Sequence, residues 1–282
     1  MRNFTLDRVA FGGALALISG WAACTPPAEK PAAAPPPAPT EYQPNFKYHS
    51  ADAGQKLDMA VGIVNPVFSN ESSRSAYLGD PVVKNMLRAL GANFNDVLIA
   101  KGFKTLGPFS TVEDMSFPDK KSSDLLLYAQ FDYDVVVKPK LKEAAAAPAP
   151  EEKSGMLGGM LKLNDANAKA APPPAPVKKC DVSIGVNGNV QFLAIEPLSK
   201  EKFFSKTLEL TGSNENVPDQ SGDSCNGGAP TDSSSQDIKN AWAKAHETVF
   251  QMSMKALDTY INGQEFIALK KQSQEVRDKK SY

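Results

Sequence analysis

The chain has 282 residues and carries 31 basic against 32 acidic side chains, a balance that lacks the basic footprint of a nucleic-acid binder. Hydrophobic residues make up 41% of it, low for one globular domain and consistent with a folded unit diluted by linkers. The chain opens with Arg2 and Arg8, then an apolar run over residues 9–23 (VAFGGALALISGWAA) that ends in Ala22, Ala23 and Cys24. A basic start, an apolar middle and a small-residue end make a secretory signal, and fifteen residues are too few to span a bilayer comfortably. A cysteine directly after two small residues is where a bacterial lipoprotein is cut and acylated, so the expectation is a diacylglycerol on Cys24. An ordinary cleaved signal with a coincidental cysteine is the alternative, and Trp21 stands where an aliphatic residue is expected. Thr25 agrees with sorting to the surface.

Cleavage before Cys24 leaves 259 of the 282 residues, with 29 basic against 31 acidic side chains. Residues 24–46 are dominated by Pro and Ala, which favour extended polyproline II and leave nothing to bury, so this stretch is expected to be a tether. The remainder, residues 47–282, is expected to form a single domain.

That domain begins with a strand over residues 57–65 (LDMAVGIVN), stopped by Pro66. Asp80 and Pro81 supply a cap and a first-turn proline. Val83, Leu87, Leu90, Phe94, Val97 and Leu98 then recur at helical spacing until Gly102 closes the helix. A strand over residues 103–109 follows at once, giving a β-α-β start. Residues 125–138 (LLLYAQFDYDVVVK) alternate most cleanly, with Leu127, Ala129, Phe131, Tyr133, Val135 and Val137 facing a core and the other face meeting water. Residues 181–196 read as one strand, or as a hairpin turning at Asn187-Gly188, and residues 203–210 pair with them.

Between these strands an insert at about 142–179 carries EAAAAPAP, SGMLGGMLKLND and AAPPPAP. Its Met156, Leu157, Met160 and Leu161 either dock on a membrane or partner, or pack against their own domain; Gly155, Gly158 and Gly159 weaken any helix there. Residues 211–232 are rich in Ser, Asn, Asp and Gly and read as a loop. Its Glu215, Asp219, Asp223 and Asp232 are either a calcium-binding cluster or a solvated loop, and their spacing does not follow the EF-hand pattern. After a cap at residues 233–235, Ile238, Trp242, Ala245, Val249, Met252, Ala256 and Tyr260 form the apolar stripe of a long helix. Gly263 breaks it, and a charged helical stretch ends in a basic tail, either a solvated face or a weak attraction for acidic lipid. The fold class is therefore α+β: a largely antiparallel sheet of about five strands with a β-α-β start and a long C-terminal helix packed on it.

If Cys24 is consumed by lipid, Cys180 and Cys225 form an even set in an oxidising compartment, where a disulfide is expected, with two free buried thiols as the alternative. Two local strings mimic peptidases: Gly222-Asp223-Ser224 and Cys225-Asn226-Gly227-Gly228. A serine nucleophile needs a histidine within reach and a carboxylate behind it, and the chain offers only His49 and His246. His246 is expected to face away from the apolar stripe of its helix. No CxxC, HExxH or phosphate-binding loop occurs, so no metal, cofactor or catalytic residue is assigned.

The strings FKYH at residues 46–49, IVNPVF ending at Phe68, KGFK at 101–104, the segment 124–139, and IEPL at 195–198 with the following FFSKTLEL come in an order and spacing that resemble the neuraminyllactose-binding hemagglutinin lipoproteins. The C-terminal helix from Asp237 is similar in pattern. The resemblance implies an α+β surface or periplasmic fold, anchored by lipid in the outer membrane or flagellar sheath, with an adhesive role toward sialylated glycans. Where that family carries a Lys/Arg-rich segment after its long central strand, this chain has the Ala/Pro insert, and only Lys138, Lys140 and Lys142 lie nearby. No ligand-binding residue is carried over. The expected function is a non-catalytic outer-membrane binding protein or adhesin, with a sialylated glycan or an envelope or flagellar protein as partner; the alternative is a structural or assembly lipoprotein with a protein partner.

Overall fold

The computed structural model describes residues 40–51, 54–69, 78–142 and 179–280. Cys24 and the body of the insert, including Met156, Leu157, Met160 and Leu161, lie outside them. In chain order the elements are β1 (Ala60–Val64), β2 (Val67–Phe68), α1 (Pro81–Ala100), β3 (Lys104–Phe109), α2 (Phe117–Ser122), β4 (Leu125–Leu141), β5 (Lys179–Ile195), β6 (Lys202–Ser221), α3 (Gln236–Tyr260) and α4 (Gly263–Lys280). The sheet order is β3-β1-β4-β5-β6, with β2 beside β4. β1 is parallel to β3 and to β4, as the β-α-β start requires, whereas β4, β5 and β6 are antiparallel. The sheet is thus mixed.

Local chemistry sets the ends of α1. One oxygen of Asp80 accepts from Val82 N at 2.7 Å and Val83 N at 3.3 Å, while the other accepts from Trp242 Nε1 at 3.1 Å. The cap of one helix is therefore also a tie to another. Gly102 closes α1 at φ 92°, where a Cβ would collide with the Gln55 carbonyl.

The odd-numbered residues of β4 from Leu125 to Val135 are buried against α1 and α3, which contribute Met86, Leu90, Phe94, Trp242, Val249, Phe250 and Leu257 to the same core. The opposite face is not wholly open to water. Leu126 and Ile195 are buried there with Met115, and Phe109, Val112 and Tyr128 pack around them. The loop between β3 and α2 thus shields the start of β4.

Of the two readings of residues 181–196 the single strand is the one the sheet shows, and the loop reading of residues 211–221 is overturned. Asn187-Gly188 is not a turn, because β5 runs unbroken beside β4 from Cys180 opposite Leu141 to Ile195 opposite Leu126. Gly188 is needed for close approach instead: at φ 146° it faces Tyr133, and a Cβ would strike the backbone of Asp132 and Tyr133. Residues 211–221, read as loop, are the second half of β6. They pair with β5 as far as Lys179 opposite Ser221, with Val217 and Gln220 buried. A polar composition is accepted there because β5 already supplies the hydrogen-bonding edge.

Cys180 and Cys225 are joined by a disulfide across 45 residues, both sulfurs being buried. The bridge ties the start of β5 to the turn at Gly222–Cys225, beyond which Ser235 caps α3 by accepting from Ile238 N at 3.3 Å. Ser235 also donates to Gln220 of β6.

At the other end α4 is latched by Arg277. Its Nε donates to Glu196 at 2.7 Å, Nη1 to the Lys121 carbonyl at 3.1 Å, and Nη2 to the Ser123 carbonyl. The Glu196 side chain is fully buried and also accepts from Leu198 N and Ser199 N. Burial pushes the Glu196 carboxyl up, but the Ser199 and Leu198 amides and Arg277 outweigh it and hold the group below the ordinary glutamate range. So the basic tail is not simply a solvated face.

Two outcomes follow. Arg277→Ala, which strands a buried carboxylate and two backbone carbonyls, should cost about 3 kcal/mol in urea unfolding, against less than about 0.5 kcal/mol for the more exposed Lys280→Ala. Opening the disulfide with Cys180→Ala/Cys225→Ala should cost about 4 kcal/mol in the chain-entropy picture for a loop of this length, measured the same way.

Candidate functional site

Residues 40–50 lie along α3 as an extended strap. Composition assigns residues up to 46 to the tether, but the aromatic side chains among them have fixed seats. Tyr42 N donates to Asn240 Oδ1 at 2.8 Å, and Asn240 Nδ2 returns a bond to the Thr40 carbonyl at 3.0 Å. The Tyr42 hydroxyl donates to Glu247, which also accepts from Asn45 N at 3.1 Å. Phe46 packs on Phe250 with ring centroids 5.4 Å apart. Gln251 donates to the Asn45 and Lys47 carbonyls, both at 3.2 Å.

The strap ends on Asp258, which accepts from Tyr48 Oη and Ser50 Oγ at 2.9 Å each and pairs with Lys101 at 3.0 Å. Burial raises the Asp258 carboxyl, but the Lys101 ammonium and the two hydroxyls more than offset it, leaving the group below its ordinary value. Contacts advance from Asn240 to Asp258 as the strap advances from Thr40 to Ser50, so strap and helix run parallel.

The strap walls two clefts, one on each side of Tyr42. The first, of about 570 Å³, lies between strap, β6 and α3, and is lined by Tyr42, Glu215, Asn216, Asp237, Asn240 and Lys244 among others. The second, of about 470 Å³, is reached from Asp80, Asp232, Gln236, Lys239 and Trp242. Lys244 Nζ sits 5.6 Å from the centre of the Tyr42 ring and 4.0 Å from Glu215. The hydrogen bond to Glu247 pushes the Tyr42 phenol up to about 12, so it stays a donor at any ordinary pH. One aromatic face, two ammonium groups, amides and carboxylates make a polar seat suited to hydrogen-bonded recognition.

The sequence candidates fall elsewhere. Cys225 is in the disulfide, and Ser224 is buried with its Oγ accepting from Ser235 N at 3.3 Å. His49 is exposed. His246 does not face away from the stripe, as the helical spacing predicts: it is wholly buried between Trp242 and Tyr133, at ring distances of 4.8 and 5.9 Å. The apolar surface is wider than the stripe and takes in a residue four places beyond Trp242. Its Nδ1 donates to the Trp242 carbonyl at 2.9 Å, and Nε2 has no hydrogen-bond partner among the described residues.

The acidic residues of 215–232 are likewise spread over separate partners: Glu215 on Lys244, Asp219 on Lys142, and Asp223 accepting from Ser233 Oγ at 2.8 Å. No group of three or more His, Cys, Asp or Glu suited to a metal ion occurs among the described residues. The strap and its clefts escape sequence reading. The signal available was the spacing of Tyr42, Phe46 and Tyr48, three aromatic residues at the end of a stretch dominated by Pro and Ala.

A crystal structure of a neuraminyllactose-binding hemagglutinin homolog from Helicobacter pylori is similar to this chain with a TM-score of 0.47 and 13% sequence identity, over 80% of this chain and 98% of that one. No family model and no curated protein matches the chain.

Burial lowers the His246 imidazole to about 4, the bond to the Trp242 carbonyl opposing only in part. The folded state thus keeps a neutral ring that the unfolded chain protonates near 6.5. Stability from this residue is complete above pH 6.5 and is lost as pH falls toward 4, by up to about 3 kcal/mol. His246→Leu should flatten the fall in unfolding free energy between those two pH values, read by urea titration across the series.

Proposed function

We propose that the protein is an outer-membrane lipoprotein, acylated at Cys24, whose α+β domain is a non-catalytic binding module with its polar seat beside Tyr42. The observation that carries this reading is the strap: the chain that follows Cys24 and its Pro/Ala stretch enters the domain through a segment bonded to α3 at both ends. A tethered domain needs that arrangement, because tension on the tether would otherwise peel its first strand from the sheet. The candidate nucleophiles support a binding role rather than catalysis, Cys225 being bridged and Ser224 and His246 each bonded to backbone elsewhere.

As ligand, the sequence resemblance points to a sialylated glycan without carrying over any binding residue, and its carboxylate would meet Lys244 and Lys239 at the clefts in exchange for their contacts with Glu215 and the Asp232 carbonyl. The alternative, an assembly lipoprotein with an envelope or flagellar protein as partner, draws on β6, a long strand that ends the sheet and offers an edge for strand addition.

The mature protein should yield an N-terminal peptide bearing acyl chains on Cys24 by mass spectrometry; an unmodified cysteine, or a start elsewhere, would remove the anchor. A glycan array probed with wild type and Lys244→Ala, beside an envelope pull-down, separates the two ligand classes. Glycan binding that Lys244→Ala weakens supports the adhesin, and capture of an envelope protein with a silent array supports the assembly role.

A further inference from the structure

Residues 41–50 alternate without exception: Tyr42, Pro44, Phe46, Tyr48 and Ser50 are half-buried, and the odd-numbered residues are exposed. That is the period of an extended peptide with one face in a groove. The groove is formed by α1 and α3, and it grips the main chain with side-chain amides. Asn240 of α3 accepts from Tyr42 N at 2.8 Å and donates to the Thr40 carbonyl at 3.0 Å. Asn93 of α1 accepts from Tyr48 N at 2.8 Å and donates to the Phe46 carbonyl at 3.4 Å. Each amide takes the N–H of one residue and the carbonyl of the residue two before it, groups that point to the same side of an extended chain. A residue of a neighbouring strand presents the same donor and acceptor, so the two amides stand in for a sheet edge. Between them Gln251 adds two bonds to main-chain carbonyls.

Bonds of this kind do not depend on which molecule supplies the main chain. Selection comes from the anchors: Phe46 on Phe250, and the Tyr42 and Tyr48 hydroxyls on Glu247 and Asp258. The segment that fits all three is the strap, and a second copy of the chain carries the same segment. Only residues 51–53 separate Ser50 from Gly54, whose N donates to the Ala100 carbonyl at the end of α1. A connection that short keeps the strap in its own groove by proximity, or, when extended, hands it to a neighbour with every bond conserved.

We infer that the α1–α3 groove is a peptide-binding site whose ligand is residues 40–50 of a second copy of this chain, exchanged reciprocally to give a two-fold dimer. Thr40, Glu41 and Tyr42 line the first cleft, and Glu41 and Tyr42 the second. In the exchanged dimer each polar seat is therefore completed by the other molecule. The inference concerns the strap and the groove alone, and holds whether or not Cys24 is acylated.

Two variants of the chain from residue 24, both carrying Cys24→Ser, separate strap from groove. Tyr42→Ala/Phe46→Ala spoils the strap and opens the groove; Asn240→Ala/Glu247→Ala/Gln251→Ala spoils the groove and keeps the strap. Each alone should be monomeric in sedimentation equilibrium, and their mixture should form a heterodimer that a synthetic peptide of residues 40–50 dissociates. The same peptide, labelled, should bind the opened variant. Adding Asn93→Ala, which removes the bonds to Tyr48 N and the Phe46 carbonyl, should weaken that binding at least about tenfold. The Cys24→Ser parent should leave the peptide free, because its own strap competes at an effective concentration of about millimolar. The single changes Phe46→Ala and Glu247→Ala serve the same ends where a multiple variant loses its near-ultraviolet dichroism. A mixture of folded variants that stays monomeric overturns the inference, as does a scrambled peptide that binds the opened variant equally well, since the groove would then take any extended segment.

Discussion

Everything in this fold hangs on the β4–β5 ladder. From Leu126 opposite Ile195 to Leu141 opposite Cys180 the two strands stay in register, and at about 3.3 Å per residue they outreach any single layer of helices. The inner half is covered: α1 and α3 lie on the odd-numbered side chains of β4, and the loop around Met115 lies on Leu126. The outer half needs other means. β6 extends alongside it with polar residues, and the disulfide ties the start of β5 to the turn between β6 and α3. The bridge sits inside the main core beside Val182, Val217 and Ile238, so a covalent constraint adds to burial at the far end of the ladder.

The helices are fixed to the ladder, and to one another, by a few polar groups that each serve two elements. Asp80 caps α1 and takes the Trp242 indole of α3; Asp258 joins the end of α3 to Lys101 and to the strap; Glu196 joins the β5–β6 turn to Arg277 of α4. A buried carboxylate is costly alone, and in each case cations or N–H and O–H donors compensate for the lost water. Removing one partner therefore disturbs two elements at once, and the cost exceeds that of an exposed ion pair of the same length.

Local chemistry made part of this legible. The alternation of β4, the Asp80-Pro81 start and the Gly102 stop of α1, and the cap and stripe of α3 are all consequences of short-range rules. The parts that were not legible owe their state to distant partners. Residues 211–221 look like a loop because nothing in Ser, Asn, Gly and Asp favours a strand, and only the edge of β5 makes them one. Gly188 looks like a turn residue because closeness to Tyr133 calls for glycine as strictly as a positive φ in a hairpin does. His246 looks solvent-facing until Tyr133 arrives from β4 to cover it. The strap is the same case at the candidate site: a proline-rich approach is indistinguishable from spacer until Asn240, Glu247 and Asp258 bind it.

The strap also gives the domain a polarity. Running parallel to α3, it brings the incoming chain to the end that holds the disulfide and the first of the clefts. Along the chain Tyr42, Phe46 and Tyr48 come in turn, each bonded or packed to α3, before β1 begins. The strap is thereby joined to the longest helix among the described residues, whose buried stripe packs on the sheet. The opposite end, locked by Arg277 and Glu196, is left to close the sheet.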